Sequence, residues 1–209
     1  MLGATKGEPW LGPDQMHAYA AARSLAGGEG LHTRQYRLDP ATHELIAIPM
    51  VHWPPVQSVL LAGGLWCNIS PGRLSLIVNL LSLGFQAFLV YRLARRCSGS
   101  PAVGHVAAAL AVSNVAFLYC FHFASSEMLF TPILLWTLWR AGAGDPNPVP
   151  WCLERGLELG FWTGMAFLTR YAGAILAVWV VAVILSRAQG TRLRTLAGFA
   201  LAAGVLWAL

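Results

Sequence analysis

Charged side chains are scarce in this chain of 209 residues. Asp, Glu, Lys and Arg together make up 11% of it, whereas hydrophobic residues make up 56% and the mean hydropathy is +0.57. An ordinary soluble domain has about 25% charged residues, so the shortage argues against a soluble fold and predicts an integral membrane protein. The formal net charge of +5 is not gathered into one basic patch with interleaved aromatic residues, which argues against a nucleic-acid partner.

Cysteines are also few. The four of them lie far apart and form no CxxC or Cys/His pattern with the spacing of a zinc site. The amino terminus lacks the basic start and apolar core of a signal peptide. No segment of the first fifty residues is apolar enough to span a bilayer, so the chain starts with a polar head.

The predicted fold class is all-α: a polytopic transmembrane helix bundle after an extracytoplasmic first loop with short juxtamembrane helices. Residues 1–54 form that loop, with a short helix at 14–26 and irregular structure over 29–54. Residues 55–68 are too short to span comfortably and predict an interfacial or re-entrant helix. The membrane domain, 74–209, has about six predicted spans, at 74–91, 101–121, 127–140, 156–168, 172–186 and 195–209.

Arginines between the apolar runs predict the orientation in the membrane. One set of loops is rich in arginine, while the opposite set holds only Arg73 and Arg170. Because cytoplasmic loops carry the excess of Lys and Arg, the rich set is predicted to be cytoplasmic and the polar head extracytoplasmic. A single helix over 156–186 would put Arg170 in mid-membrane, so we expect a break at residues 169–171. The arginine-rich set consists of Arg92, Arg95, Arg96, Arg140, Arg155, Arg187, Arg192 and Arg194.

Polar side chains from distant parts of the sequence are predicted to meet at the extracytoplasmic face. A carboxylate there can take the proton of an attacking hydroxyl, and a guanidinium can hold a leaving phosphate by paired hydrogen bonds. This combination suits transfer chemistry on a polar substrate that a lipid delivers. The predicted group consists of Asp14, His17, Tyr19, His52, Glu127, Arg170 and Tyr171.

Several short motifs resemble the GT-C glycosyltransferases, which include protein O-mannosyltransferases and lipid A aminoarabinose transferases. Asp14 and Tyr19, the stretch 22–31 and Trp53-Pro54-Pro55 are similar to the first extracytoplasmic loop of that class. Further similarity lies at 91–96, 126–130 and 164–171. Members of the class start with a span before this loop and continue beyond the sixth span, so the sequence is interpreted as incomplete at both ends.

The resemblance implies sugar transfer from a polyprenyl-phosphate donor to a lipid, glycan or protein acceptor at the outer face of a bacterial inner or plasma membrane. Asp14 maps onto the acidic residue of the first loop and would be the general base or would position the acceptor, with Glu127 as the second catalytic carboxylate. Arg170 would lie near the donor phosphate or sugar, and Tyr19, His52 and Tyr171 would complete the substrate site. No cofactor is assigned. Some branches use a divalent metal, but hard cations want several oxygen ligands and Asp14 has no neighbouring carboxylate.

Each of these residues has a structural alternative. Asp14 follows a proline at a helix start and is equally suited to be an N-cap, and Glu127 is favoured at a helix start by the macrodipole. Arg170 could extend to the lipid headgroups, and Tyr171 could belong to the interfacial aromatic belt. Two further function classes also stay open: a transporter, and a noncatalytic membrane subunit or relic of a transferase.

Overall fold

The computed structural model describes residues 13–38, 45–49, 54–114, 126–142 and 150–208. Within these ranges the chain is a helix bundle, as predicted, with one added two-stranded sheet. The helices are α1 Pro13–Ala26, α2 Val56–Trp66, α3 Pro71–Ser98, α4 Pro101–Val112, α5 Ser126–Arg140, α6 Leu153–Thr169, α7 Gly173–Arg187 and α8 Arg192–Trp207, and the strands are β1 His32–Leu38 and β2 Leu45–Pro49.

The hairpin corrects the prediction of irregular structure over 29–54. Strands β1 and β2 pair antiparallel, with Tyr36 opposite Ala47 and Leu38 opposite Leu45. The pairing register shifts between His32 and Tyr36, and the sequence of β1, HTRQYRL, shows no regular alternation of apolar and polar residues. A two-stranded hairpin is marginal by itself, and here β1 also contacts α1.

Helix α3 has the character of a membrane helix. Pro71 occupies its first turn, the Ser70 hydroxyl accepts from the backbone N–H of Arg73 at 3.4 Å, and Gly99 ends the helix at φ 71°. Its buried face is mostly polar, while large apolar side chains are exposed, among them Leu80 and Leu81. Apolar exposure with polar burial is what lipid surroundings favour.

Only α3, among the helices in the described ranges, is long and apolar enough to cross a membrane by length and composition. Three shorter helices, α2, α4 and α7, are also apolar. The other spans of the predicted multi-pass topology therefore remain predictions.

Glycines join α6 to α8 in the most extensive helix contact of the described structure. A Cβ at Gly164 would lie 2.7 Å from the Leu206 side chain, and a Cβ at Gly198 would lie 2.5 Å from the Leu153 carbonyl oxygen. Gly160 faces the Phe199 carbonyl in the same way. Small residues at every fourth position let helix backbones approach closely, which is how helices associate in lipid.

The polar head is attached through α1 and α2. Ala22 of α1 packs against Leu61 and Ala62 of α2 in a small buried cluster. The indole nitrogen of Trp66 donates to the Ala26 carbonyl at 3.3 Å. Helix α2 in turn contacts α3 and α6, so the described part of the head lies against the bundle.

Candidate functional site

An ion pair between Glu127 and Arg170 is the centre of the candidate site. Arg170 Nη1 donates to Glu127 Oε1, and the two residues lie 43 apart in sequence. Glu127 is in the first turn of α5 and Arg170 directly follows α6, so the pair joins two antiparallel helices at one end. The side chains are 43% and 37% exposed, respectively, which leaves the pair accessible to a substrate.

The break between α6 and α7 presents Arg170 at this end. Arg170 is extended, at φ −153° and ψ 136°, and its carbonyl accepts from Gly173 N at 2.8 Å. A Cβ at Gly173 would lie 2.5 Å from the carbonyl carbon of Ala166 and 2.7 Å from Phe167 Cα, so the chain can fold back this tightly only at a glycine. The break lies where the intramembrane arginine predicted it.

Gln86 of α3 fixes the start of α5, where Glu127 lies. Pro132 in α5 has no N–H, so the Met128 carbonyl has no donor four residues ahead. Gln86 Nε2 donates to that carbonyl at 3.4 Å. Gln86 is 3% exposed and Met128 is fully buried, and an unpaired polar group at such a place would destabilise the fold. Gln86 therefore supplies the hydrogen bond that Pro132 removes.

The opposite end of α5 has a second ion pair. Arg140 Nη2 donates to Glu158 Oε2 at 2.7 Å, and Arg140 Nε lies 2.6 Å from Glu158 Oε1. Arg140 is roughly 20 Å along the helix axis from Glu127. One ion pair therefore joins α5 to α6 near each end.

The other predicted site residues lie in different elements of the structure. Tyr171 is next to Arg170, is 45% exposed, and has its ring 5.4 Å from that of Phe167. Tyr19 lies in α1, with its ring centroid 5.9 Å from Arg23 Cζ. Asp14 is in the first turn of α1, but its side chain lies outside the described part, as does all of His52. The structure thus brings Glu127 and Arg170 into contact, and the joining of Asp14, Tyr19 and His52 to them stays a prediction.

Sequence analysis missed Gln86, Pro132 and Glu158. A glutamine in the middle of an apolar run, and a proline inside a predicted span, are the signals that could have identified the first two. Among the residues that the structure describes, no group of three His, Cys, Asp or Glu side chains could hold a metal ion.

Comparison with known proteins agrees with this architecture. A family model described as dolichyl-phosphate-mannose-protein mannosyltransferase matches residues 52–209, a range that includes Glu127 and Arg170 but not Asp14. Searches of curated proteins and of solved structures give no significant match. The resemblance to GT-C glycosyltransferases is thereby confirmed over most of the chain. The protein belongs to the dolichyl-phosphate-mannose-protein mannosyltransferase family, whose members are integral membrane glycosyltransferases of GT-C type.

Proposed function

We propose that this protein transfers a sugar from a polyprenyl-phosphate donor to an acceptor hydroxyl at the extracytoplasmic face of the membrane. The Glu127–Arg170 ion pair carries the proposal, because it places a guanidinium and a carboxylate together in a half-exposed position. The family uses polyprenyl-phosphate sugar donors, and Arg is well suited to hold a phosphate by two parallel hydrogen bonds. Helix α1 of the head packs against α2, and α2 contacts α6, the helix that Arg170 follows, which supports a contribution from the head.

In the proposed reaction the acceptor oxygen attacks the anomeric carbon of the sugar. The bond from that carbon to the phosphate oxygen breaks, and its electron pair leaves with the polyprenyl phosphate. Arg170 stabilises the charge that develops on the phosphate, and Tyr19, His52 and Tyr171 complete the substrate site. The hydroxyl proton moves to a carboxylate, for which we assign Asp14. Glu127, which accepts a hydrogen bond from Arg170, orients that guanidinium until the donor phosphate binds.

The proton-transfer role is tested by Asp14→Asn in the protein reconstituted with polyprenyl-phosphate-linked mannose. Asn has nearly the same size and shape as Asp and keeps a hydrogen-bond acceptor, so this change removes the base with little other disturbance. We expect sugar transfer to fall by about a hundred- to ten-thousandfold, the usual contribution of a general base, while donor binding is retained. Unchanged transfer would remove Asp14 from the reaction.

The phosphate-binding role is tested by Arg170→Gln, Glu127→Gln and the double variant. If the pair only joined two helices, the double variant would recover transfer relative to Arg170→Gln, since it leaves no unpaired charge. We expect no recovery, together with a raised KM for the donor. The matched control is Arg140→Gln with Glu158→Gln at the other end of α5, which should retain transfer. Recovery in the first double variant would contradict the proposal.

A further inference from the structure

The first turn of α5, residues 126–129, carries Glu127 and is joined to its own helix less firmly than a regular first turn. In a regular helix each carbonyl of that turn accepts from the backbone N–H four residues ahead. Pro132 has no N–H, so the backbone hydrogen bond that would end at the Met128 carbonyl is missing. The orientation of the turn therefore depends in part on side chains.

Side-chain hydrogen bonds reach both of the carbonyls next to Glu127 and Met128. The Thr131 hydroxyl donates to the Glu127 carbonyl at 2.9 Å, within α5 itself. A bond of this kind, to the carbonyl four residues earlier, often bends a helix. The Met128 carbonyl accepts from Gln86 of α3 at 3.4 Å. Of these two bonds, the one from Gln86 fixes the turn relative to another helix.

Gln86 is linked to Arg170 through this turn. The Gln86 amide bonds to Met128, Glu127 is the residue before Met128, and the Glu127 carboxylate accepts from Arg170. Gln86 is 3% exposed and Met128 is fully buried, and a hydrogen bond is stronger in such surroundings than in water. The direction in which Glu127 holds the guanidinium therefore depends on a residue of α3.

Glutamine is a costly residue for this position. Helix α3 is long and apolar enough to cross a membrane, where a side-chain amide needs a partner. An apolar residue at position 86 with a non-proline residue at 132 would satisfy the Met128 carbonyl within α5. Gln86 and Pro132 thus exchange a hydrogen bond inside α5 for one between α3 and α5. The exchange adds no hydrogen bond, and its effect is to fix the first turn of α5 against α3.

We propose that Gln86 is a positioning residue for Arg170. It holds the turn of Glu127 so that this carboxylate presents the guanidinium to the phosphate of the lipid-linked donor. Gln86 acts through Met128 and Glu127 and does not touch the substrate. A misplacement of about 1 Å can cost about a hundredfold in rate, so a contact of this kind affects transfer from a distance. The donor part of this inference rests on the proposed function, whereas the positioning of the ion pair does not.

The first test needs no sugar transfer. A double-mutant cycle with Glu127→Gln and Arg170→Gln measures the coupling of the ion pair, by reversible unfolding in detergent micelles. The cycle is repeated in Gln86→Leu with Pro132→Ala, which restores a donor to the Met128 carbonyl but removes the bond to α3. We expect most of the coupling to be lost in that background and retained in Pro132→Ala alone. Equal coupling in the parent protein and in the Gln86→Leu, Pro132→Ala background would overturn the proposal.

The second test measures the KM for polyprenyl-phosphate-linked mannose. Gln86→Leu with Pro132→Ala should raise this KM by about ten- to a hundredfold, although its stability should match that of Pro132→Ala. The matched control is Thr137→Val, which removes another buried side-chain hydrogen bond of α5, to the Ile133 carbonyl at 2.8 Å, and should leave KM unchanged.

Two outcomes of the second test would overturn the proposal. The parent KM in Gln86→Leu with Pro132→Ala would mean that Gln86 serves stability alone. An equal rise of KM in Thr137→Val would mean that transfer is sensitive to any polar change in α5. Absence of transfer in the parent protein would instead contradict the proposed function, and the coupling of Glu127 to Arg170 would then decide the role of Gln86.

Discussion

Gly198→Ala tests whether glycine contact holds α6 and α8 together. The added Cβ would lie 2.5 Å from the Leu153 carbonyl oxygen and 3.0 Å from the Leu157 nitrogen. Both are backbone atoms, so no side chain can rotate away to make room. Ordinary contact starts at 3.4 Å, so the helices must separate locally by about 0.9 Å. A gap of that size loses a quarter to a half of the dispersion energy of each contact that it opens.

Gly204→Ala is the matched control on the same helix. Nothing lies within 4 Å of a Cβ at Gly204, which is exposed. Both substitutions gain the same helix propensity, about 1 kcal/mol, so this term cancels when the two variants are compared. Overpacking costs about 1–3 kcal/mol, and we expect Gly198→Ala to be less stable than Gly204→Ala by that amount.

The measurement is reversible unfolding in mixed micelles, with a denaturing detergent as titrant and tryptophan fluorescence as the signal. The free energy of unfolding of each variant is compared with that of the parent protein. Equal stability of the two variants, or a gain in both, would refute the assignment of α6–α8 contact to Gly198. A loss in both would place the sensitivity in α8 as a whole, not at the contact.

Two further changes test polar contacts inside the bundle. Gln86→Leu should lower the free energy of unfolding by about 1–3 kcal/mol, because the Met128 carbonyl is left buried and unpaired. In a Pro132→Ala background the same change should cost little, because the residue-132 N–H then donates to that carbonyl. Equal losses in both backgrounds would contradict the pairing. Glu158→Gln should lower the free energy of unfolding by about 1–3 kcal/mol, between the values typical of exposed and of buried ion pairs. Adding Arg140→Gln should recover part of the lost stability. A further loss in the same unfolding assay would show that the two residues are not coupled.

Local patterns in the sequence were sufficient for the class of fold. The shortage of charge and the apolar runs predicted a membrane helix bundle. The motifs of the first loop, with those at 91–96, 126–130 and 164–171, predicted the GT-C class. The break after Thr169 followed from the cost of an arginine in mid-membrane. The β1–β2 hairpin was missed, because strand pairing depends on a partner and the polar sequence of β1 shows no alternation of apolar and polar residues.

Partner choice was decided by the tertiary structure. Sequence analysis placed Glu127 and Arg170 at one membrane face, but their contact requires α5 and α6 to be antiparallel neighbours with their ends level. The same holds for Gln86, whose role exists only because α3 passes the carbonyl that Pro132 leaves unpaired. Hydropathy indicates whether a segment is more stable in lipid or in water. A proline or a charge in an apolar segment indicates a polar group that needs a partner. Which distant side chain meets that need depends on how the helices pack, and packing is set by the shapes of whole helix faces.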